Sequence, residues 1–162
     1  MNQKKEPKPS GNRPLEQWVS YRFGLVAARM GIIGQHAYQS RHKLSTSSWR
    51  ALAVIARFEP CSATEVSSHS RLDGPKVSRA IEALVARKHI KREKAPDDKR
   101  RAVLALTPLG RKVYDDVATF AEKVEAFVTA TLTAEERKVM WRAIGKIDAQ
   151  LATLGKHPPP DA

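Results

Sequence analysis

Lys76, Ser78 and Arg79, with the run Asp98-Lys99-Arg100-Arg101 further along, are the residues whose types and spacing could do chemistry. That chemistry is the holding of a polyanion. Within residues 74–86, Val77, Ile81, Leu84 and Val85 recur at i, i+4, i+7 and i+8, which gathers them into one apolar stripe of a helix. Lys76, Ser78, Arg79 and Glu82 are pushed to the opposite side. Residues 90–94 and 102–106 are strand-like, and Ala95-Pro96-Asp97-Asp98-Lys99-Arg100-Arg101 between them makes a hairpin with a basic tip. A helix able to lie in a major groove, with a cationic finger beside it, is the layout of a winged helix-turn-helix. The competing reading of the tip is a solvated loop.

The whole chain agrees with a polyanionic partner. Its 162 residues carry a net charge of +12, and self-repulsion on that scale is relieved by nucleic acid or by an acidic membrane surface. No run of about 18 apolar residues is present, which argues against a membrane span. Residues 1–14, MNQKKEPKPSGNRP, lack the apolar stretch of a signal peptide, and one cysteine, Cys61, cannot make an internal disulfide. A cytosolic, nucleic-acid-facing protein is the expectation.

The elements that must position these side chains are mainly helical. Residues 1–14 read as a disordered basic arm, either a solubilising tail or a phosphate-touching one, and 155–162 as a flexible tail. A first helix is expected over 15–43, with Val19, Phe23, Val26, Met30, Ile33 and Ala37 on one row and Trp18, Leu25 and Ile32 on another. Two apolar rows imply one row against the chain's own core and the other against a partner chain. A second helix runs from Ser45 or Thr46 to Phe58. Ser62-Ala63-Thr64-Glu65 is a capping box opening a helix over 63–70, and Asp73 or Gly74 caps the basic helix, whose first turn tolerates Pro75. Thr107-Pro108 starts a long helix to about Thr131. Thr133-Ala134-Glu135-Glu136 is a second capping box, opening a helix lined by Met140, Ile144, Ile147, Leu151 and Leu154.

Four passages together resemble the multiple antibiotic resistance regulator (MarR) family of bacterial transcription factors: Leu44-Ser45-Thr46-Ser47-Ser48-Trp49-Arg50-Ala51-Leu52, Val77-Ser78-Arg79-Ala80-Ile81-Glu82-Ala83-Leu84, Asp98-Lys99-Arg100-Arg101 with Leu104-Ala105-Leu106-Thr107-Pro108-Leu109-Gly110, and Leu132-Thr133-Ala134-Glu135-Glu136. The resemblance covers about residues 15–154. It implies one domain, with dimerisation helices at 15–43 and 108–154 around a winged helix-turn-helix at 45–107. Family members usually carry a glycine near Lys88-His89-Ile90, which leaves His89 to accept a glycine-like conformation. The implied assembly is a homodimer whose two recognition helices lie about 34–36 Å apart in successive major grooves of double-stranded DNA. Pro75, Lys76, Ser78 and Arg79 then enter the groove, with Arg79 able to pair guanine O6 and N7 for ~1–3 kcal/mol of discrimination. Ala63 and Thr64 abut phosphates through backbone N–H groups. Arg100 and Arg101 belong to the wing, Arg100 reaching the minor groove and Asp98 bracing it.

The resemblance also implies a small-molecule site for an anionic aromatic ligand, a phenolic acid or its thioester, that relieves repression. Arg22, Arg29 and His36 share a helical face and Trp49 supplies a ring, so an arginine could clasp a carboxylate. The alternative is that they face solvent or a partner subunit. Cys61 reads as a packing residue. His36, His42, His69 and His89 lack the spacing of metal ligands, so neither metal nor cofactor is expected. No Gly-rich phosphate loop, nucleophile elbow or zinc-protease helix is present, so an enzyme is not expected. An effector-independent architectural DNA-binding protein and a winged module for protein contacts remain as rivals.

Overall fold

Side-chain caps fix where most of the helices begin. The computed structural model describes residues 13–94 and 102–154. In it α1 spans Val19–Gln35, α2 Thr46–Phe58, α3 Ala63–Ser70, α4 Gly74–Ala86, β1 Ile90–Lys94, β2 Ala102–Leu106, α5 Pro108–Thr129 and α6 Ala134–Leu154. Ser45 Oγ accepts the Ser48 N–H at 3.0 Å, and Asp73 accepts the Lys76 N–H at 2.8 Å. Both expected capping boxes form: Ser62 with Glu65 (3.2 and 2.7 Å) and Thr133 with Glu136 (3.2 and 2.7 Å). The architecture is the mainly α fold with a β-hairpin wing read from the sequence.

The chain divides within α5, at Thr119, into two compact units. The first is built on α2, α3, α4 and the wing. Its core holds Leu44, Leu52, Ile55, Cys61, Val66 and Leu84, all essentially inaccessible, with Ile90, Leu104, Leu106, Val113 and Val117 around them. Burying side chains of that size stabilises by roughly 1.5–3 kcal/mol each. β1 and β2 pair antiparallel from Ile90 opposite Leu106 to Lys94 opposite Ala102. Cys61 adds a single-residue bridge to the outer edge of β2, its N–H donating to the Leu104 carbonyl at 3.1 Å and its carbonyl accepting at 2.7 Å. The Glu59 carboxylate accepts the Leu106 N–H at 2.5 Å and pairs with Arg111, so the end of α2 holds both the wing and the start of α5.

The expected single helix over 15–43 is broken. A 3-10 turn covers Leu15–Gln17, Trp18 is extended (ψ 123), and a π-helical turn covers His36–Ser40. The wider turn lets the buried Tyr38 ring stack on Trp49 (centroids 6.1 Å apart), a tertiary contact invisible to helical periodicity. No residue of α1 itself is buried; Trp18, Val19, Phe23, Leu25, Val26 and Ile33 are exposed, and Ile32 is 70% exposed. In the second unit α6 likewise exposes Trp141 and Leu151, and Phe127 near the end of α5 is 81% exposed.

The glycine-like conformation after α4 falls on Lys88 (φ 57), not on His89. The Lys88 N–H donates to the Val85 carbonyl at 2.8 Å and the His89 N–H to the Leu84 carbonyl at 2.9 Å, which is a Schellman ending. His89 follows, buried, just before β1. Lys88→Gly is therefore expected to raise stability by up to about 1 kcal/mol, because a left-handed non-glycine residue is strained. Chemical denaturation with an unchanged m-value measures it, and a loss of stability would show that the lysine side chain packs usefully.

Candidate nucleic-acid interface

The helix-turn-helix is set by its connector. α3 ends on Arg71 in left-handed backbone (φ 55), Ser67 Oγ donates to the Leu72 carbonyl at 2.8 Å, and Asp73 then caps α4. Arg50 on α2 reaches the Ser70 carbonyl and ties the end of α3 to the core. With Val77, Ala80, Ile81 and Leu84 buried, the opposite edge of α4 presents Pro75, Lys76, Ser78, Arg79 and Glu82 to solvent. Ala63 and Thr64 are exposed in the first turn of α3.

These side chains rest in local contacts. The Lys76 ammonium lies 2.6 Å from Asp73 Oδ2, which holds the Asp73 carboxyl below its ordinary range. Arg79 Nε donates to the Pro75 carbonyl at 3.2 Å, and Ser78 Oγ donates to Glu82 at 3.2 Å. All of these are exposed pairs three or four residues apart, which cost little to release. Two grooves flank the edge. One of about 330 Å³ is bounded by α3, α4 and the wing, with Thr64, Ser67, Ser78, Ile81 and Arg92 on its walls. The other, about 380 Å³, lies between the start of α2 and α4, lined by Ser45, Ser47, Ser48, Lys76 and Arg79. Of the expected interface residues the structure thus brings together Ala63, Thr64, Pro75, Lys76, Ser78 and Arg79. Asp98, Arg100 and Arg101 lie outside the described residues.

The expected ligand residues are not one cluster. Trp49 is sandwiched between Tyr38 and Tyr114 (centroids 6.1 and 5.9 Å away), and the Arg111 guanidinium lies over Tyr114. His36 Nδ1 is 3.3 Å from Ser40 Oγ, while Arg22 and Arg29 are exposed on α1. At 1.5 Å rise per residue Arg22 stands roughly 24 Å along the helix from Tyr38.

Beneath the interface, the Arg87 guanidinium at the end of α4 donates to the His42 carbonyl at 3.1 Å, and His42 Nε2 meets Asp116 on α5 at 2.7 Å. That hydrogen bond, with Arg41 at 3.4 Å, lowers the Asp116 pKa. Burial lowers that of His89, as do the charges of Arg87 and His42, which favours the neutral ring. Burial, reinforced by Glu65 and Glu59, pushes the Cys61 thiol up to about 11, which leaves it an unreactive packing group.

Two residues escaped the sequence reading. Glu59, just past the end of the second helix, gives no local sign of the contacts with Leu106 and Arg111 that hold the wing to α5. Arg92 was counted among strand residues, although the alternation Ile90-Lys91-Arg92 places it on the face of the buried Ile90.

Comparison with known proteins agrees with this layout. The MarR family pattern matches residues 42–101, which contain α2 to α4 and β1. An HTH-type transcriptional regulator of Staphylococcus aureus strain Mu50 is 29% identical over 90 residues, 56% of this chain and 62% of the relative. The chain thus matches about three-fifths of that protein's length. A MarR/EmrR family transcriptional regulator from Acinetobacter sp. ADP1 superposes with a TM-score of 0.78 at 20% identity, covering 87% of this chain and 99% of its own. Bordetella bronchiseptica BpsR, described for regulation of its DNA binding by 6-hydroxynicotinic acid, superposes with a TM-score of 0.73 at 25% identity, covering 85% and 98%. Among the described residues no helix is long and apolar enough to cross a membrane.

Proposed function

We propose, from the premise that this chain is a winged helix-turn-helix protein of the MarR family, that it is a sequence-specific, DNA-binding transcriptional regulator acting as a homodimeric repressor in the bacterial cytoplasm. The observation that carries this reading is the solvent-facing edge of α4, where Lys76, Ser78 and Arg79 stand between two open grooves, held only by local contacts. In this reading α4 enters the major groove of a pseudo-palindromic operator, Arg79 reads a guanine, and the backbone at Ala63 and Thr64 meets phosphates. Arg100 enters the minor groove braced by Asp98, and Arg101 adds a backbone contact.

A second copy of the chain covers the apolar side chains of α1 and α6 that one chain leaves in water. The inducer is a small anionic aromatic acid. BpsR responds to such a compound, and the Tyr38-Trp49-Tyr114 stack offers rings of matching character. Arg22 would serve it only through the paired assembly, given its distance from the stack, whereas His36 lies two residues from Tyr38; Arg29 stands between them on α1.

Selection of bound duplexes from random DNA, followed by competition, tests the proposal. The selected site should outcompete random duplex by ~10³ or more. Arg79→Ala should lose about 10–100-fold on the selected site and much less on random DNA, as removal of one bidentate base contact predicts. Equal affinity for all duplexes would instead support an architectural DNA-binding protein, the alternative favoured by the charge excess alone.

A further inference from the structure

His89 is the residue on which α4, the wing and α5 converge. Its N–H donates to the Leu84 carbonyl at 2.9 Å at the end of α4, and its carbonyl accepts the Thr107 N–H at 3.0 Å just before α5. The next residue, Ile90, opens β1 opposite Leu106. Gly110 on α5 packs against the same His89 carbonyl so closely that a Cβ has no room. His89 is 7% exposed, and among the described residues its Nδ1 has no hydrogen-bond partner and its ring no carboxylate. The charged groups around it are cationic or already engaged. Arg87 lies two residues back at the end of α4, and His42 comes from the segment before α2. The carboxylate of this cluster, Asp116 on α5, is held by His42 at 2.7 Å and Arg41 at 3.4 Å, with the positive charge of Lys112 beside it. Thr107 and Gly110, which meet the His89 backbone from the α5 side, are uncharged.

A neutral imidazole leaves one ring nitrogen unsatisfied in this site, which burial of the rest of the ring can offset. An imidazolium would add a desolvated charge near the Arg87 guanidinium, with no acceptor for the Nδ1 proton. We propose that His89 is a pH-responsive pin: the junction of α4, β1 and α5 holds while the ring is neutral and loosens when mild acid protonates it, which shifts the wing relative to the recognition helix and weakens the grip on DNA. The loss of DNA affinity rests on the DNA-binding reading above; the loosening of the junction does not. Burial, with the Arg87 and His42 charges, keeps the pKa of the ring below the ordinary value of about 6.5. The unfolded chain therefore binds more protons than the folded one as pH falls below about 6.5, and stability declines with it. Asp116, whose pKa is also lowered, loses its contribution only below about pH 4. Among side chains, imidazoles alone titrate between about pH 7.5 and about pH 5.5. A charged His42 would tighten its pair with Asp116 and work against the loss.

Thermal unfolding of the full-length protein at fixed concentration, and its binding to the selected duplex at constant ionic strength, are compared at about pH 7.5 and about pH 5.5. The unaltered protein should lose roughly 2–4 °C in Tm and about 2–5-fold in duplex affinity at the lower pH. His89→Leu, whose apolar side chain cannot titrate, should flatten both responses whatever its absolute Tm, and His42→Gln should keep the fall in Tm. Where His89→Leu fails to fold, NMR of the unaltered protein decides: the His89 ring should remain largely neutral at about pH 6, and titration at or above about 6.5 would overturn the proposal. A level Tm in the unaltered protein, or the same fall in His89→Leu, would overturn it as well. A fall in Tm with unchanged affinity would mean that the junction yields without moving the wing, and would sink the switch. Absence of duplex binding at either pH would remove the regulator reading, and the Tm and NMR results would then decide the junction by themselves.

Discussion

Raising salt from about 50 to 200 mM is expected to weaken DNA binding by roughly 10³–10⁵-fold, the response of a dimer that neutralises about 6–10 phosphates. The expectation starts from a net charge of +12 on 162 residues and from where part of that charge lies. Lys76 and Arg79 stand on the exposed edge of α4, and Arg92 borders the adjoining groove. Each phosphate contact releases condensed counterions, so the slope counts contacts whatever the sequence bound. Fluorescence anisotropy on a labelled duplex at several salt concentrations measures it. A flat response would mean that the charge excess is not directed at DNA and would remove the proposed function.

Gly110→Ala should be the most damaging small substitution in the first unit. A Cβ at this position would lie 1.8 Å from the His89 carbonyl oxygen and 2.7 Å from its carbon, and both are backbone atoms that no side-chain rotation can move away. The approach is close because Thr107 welds the start of α5 to the turn after α4. Its N–H donates to the His89 carbonyl at 3.0 Å, its hydroxyl donates to the Lys88 carbonyl at 2.6 Å, and the Gly110 N–H donates to that hydroxyl at 3.0 Å. Relieving the clash must shift α5 or the α4–β1 turn, at a cost on the order of 3 kcal/mol. For a chain of this size that lowers Tm by roughly 6–12 °C. The same shift would displace the wing relative to α4, so DNA affinity should fall with stability. A Tm within a degree of the unaltered protein would show that the two segments are not in contact.

The contrast between these elements shows what a sequence can express. The helix-turn-helix and the wing were legible because each rests on local chemistry: caps at Ser45, Ser62 and Asp73, a 3.6-residue apolar period in α4, and two short strand-like runs that pair as a hairpin. What was missed depends on contacts distant in the chain. Periodicity runs on through residues 15–43, yet the helix opens into a π turn where Tyr38 meets Trp49. Glu59 closes α2 by sequence, but its carboxylate holds Leu106 and Arg111, which no local pattern announces. The left-handed residue was assigned one position late because hydrogen bonding to Leu84 and Val85, not residue type, decides that Lys88 takes it. Arg22, Arg29 and His36 share a helical face, but Arg22 stands sixteen residues before Tyr38, the ring that meets Trp49, and spacing along one helix does not announce that contact.

The bare face of α1 has a consequence for how much protein a cell must keep. With Phe23, Val26 and Ile32 in water in a single chain, the proposed homodimer would make the persistence of that helix depend on its being met by another copy. Every tenfold dilution then takes about 1.4 kcal/mol from the associated state. Abundance would thereby become a control variable for the proposed regulator: below a threshold copy number its DNA site would empty, with or without a ligand.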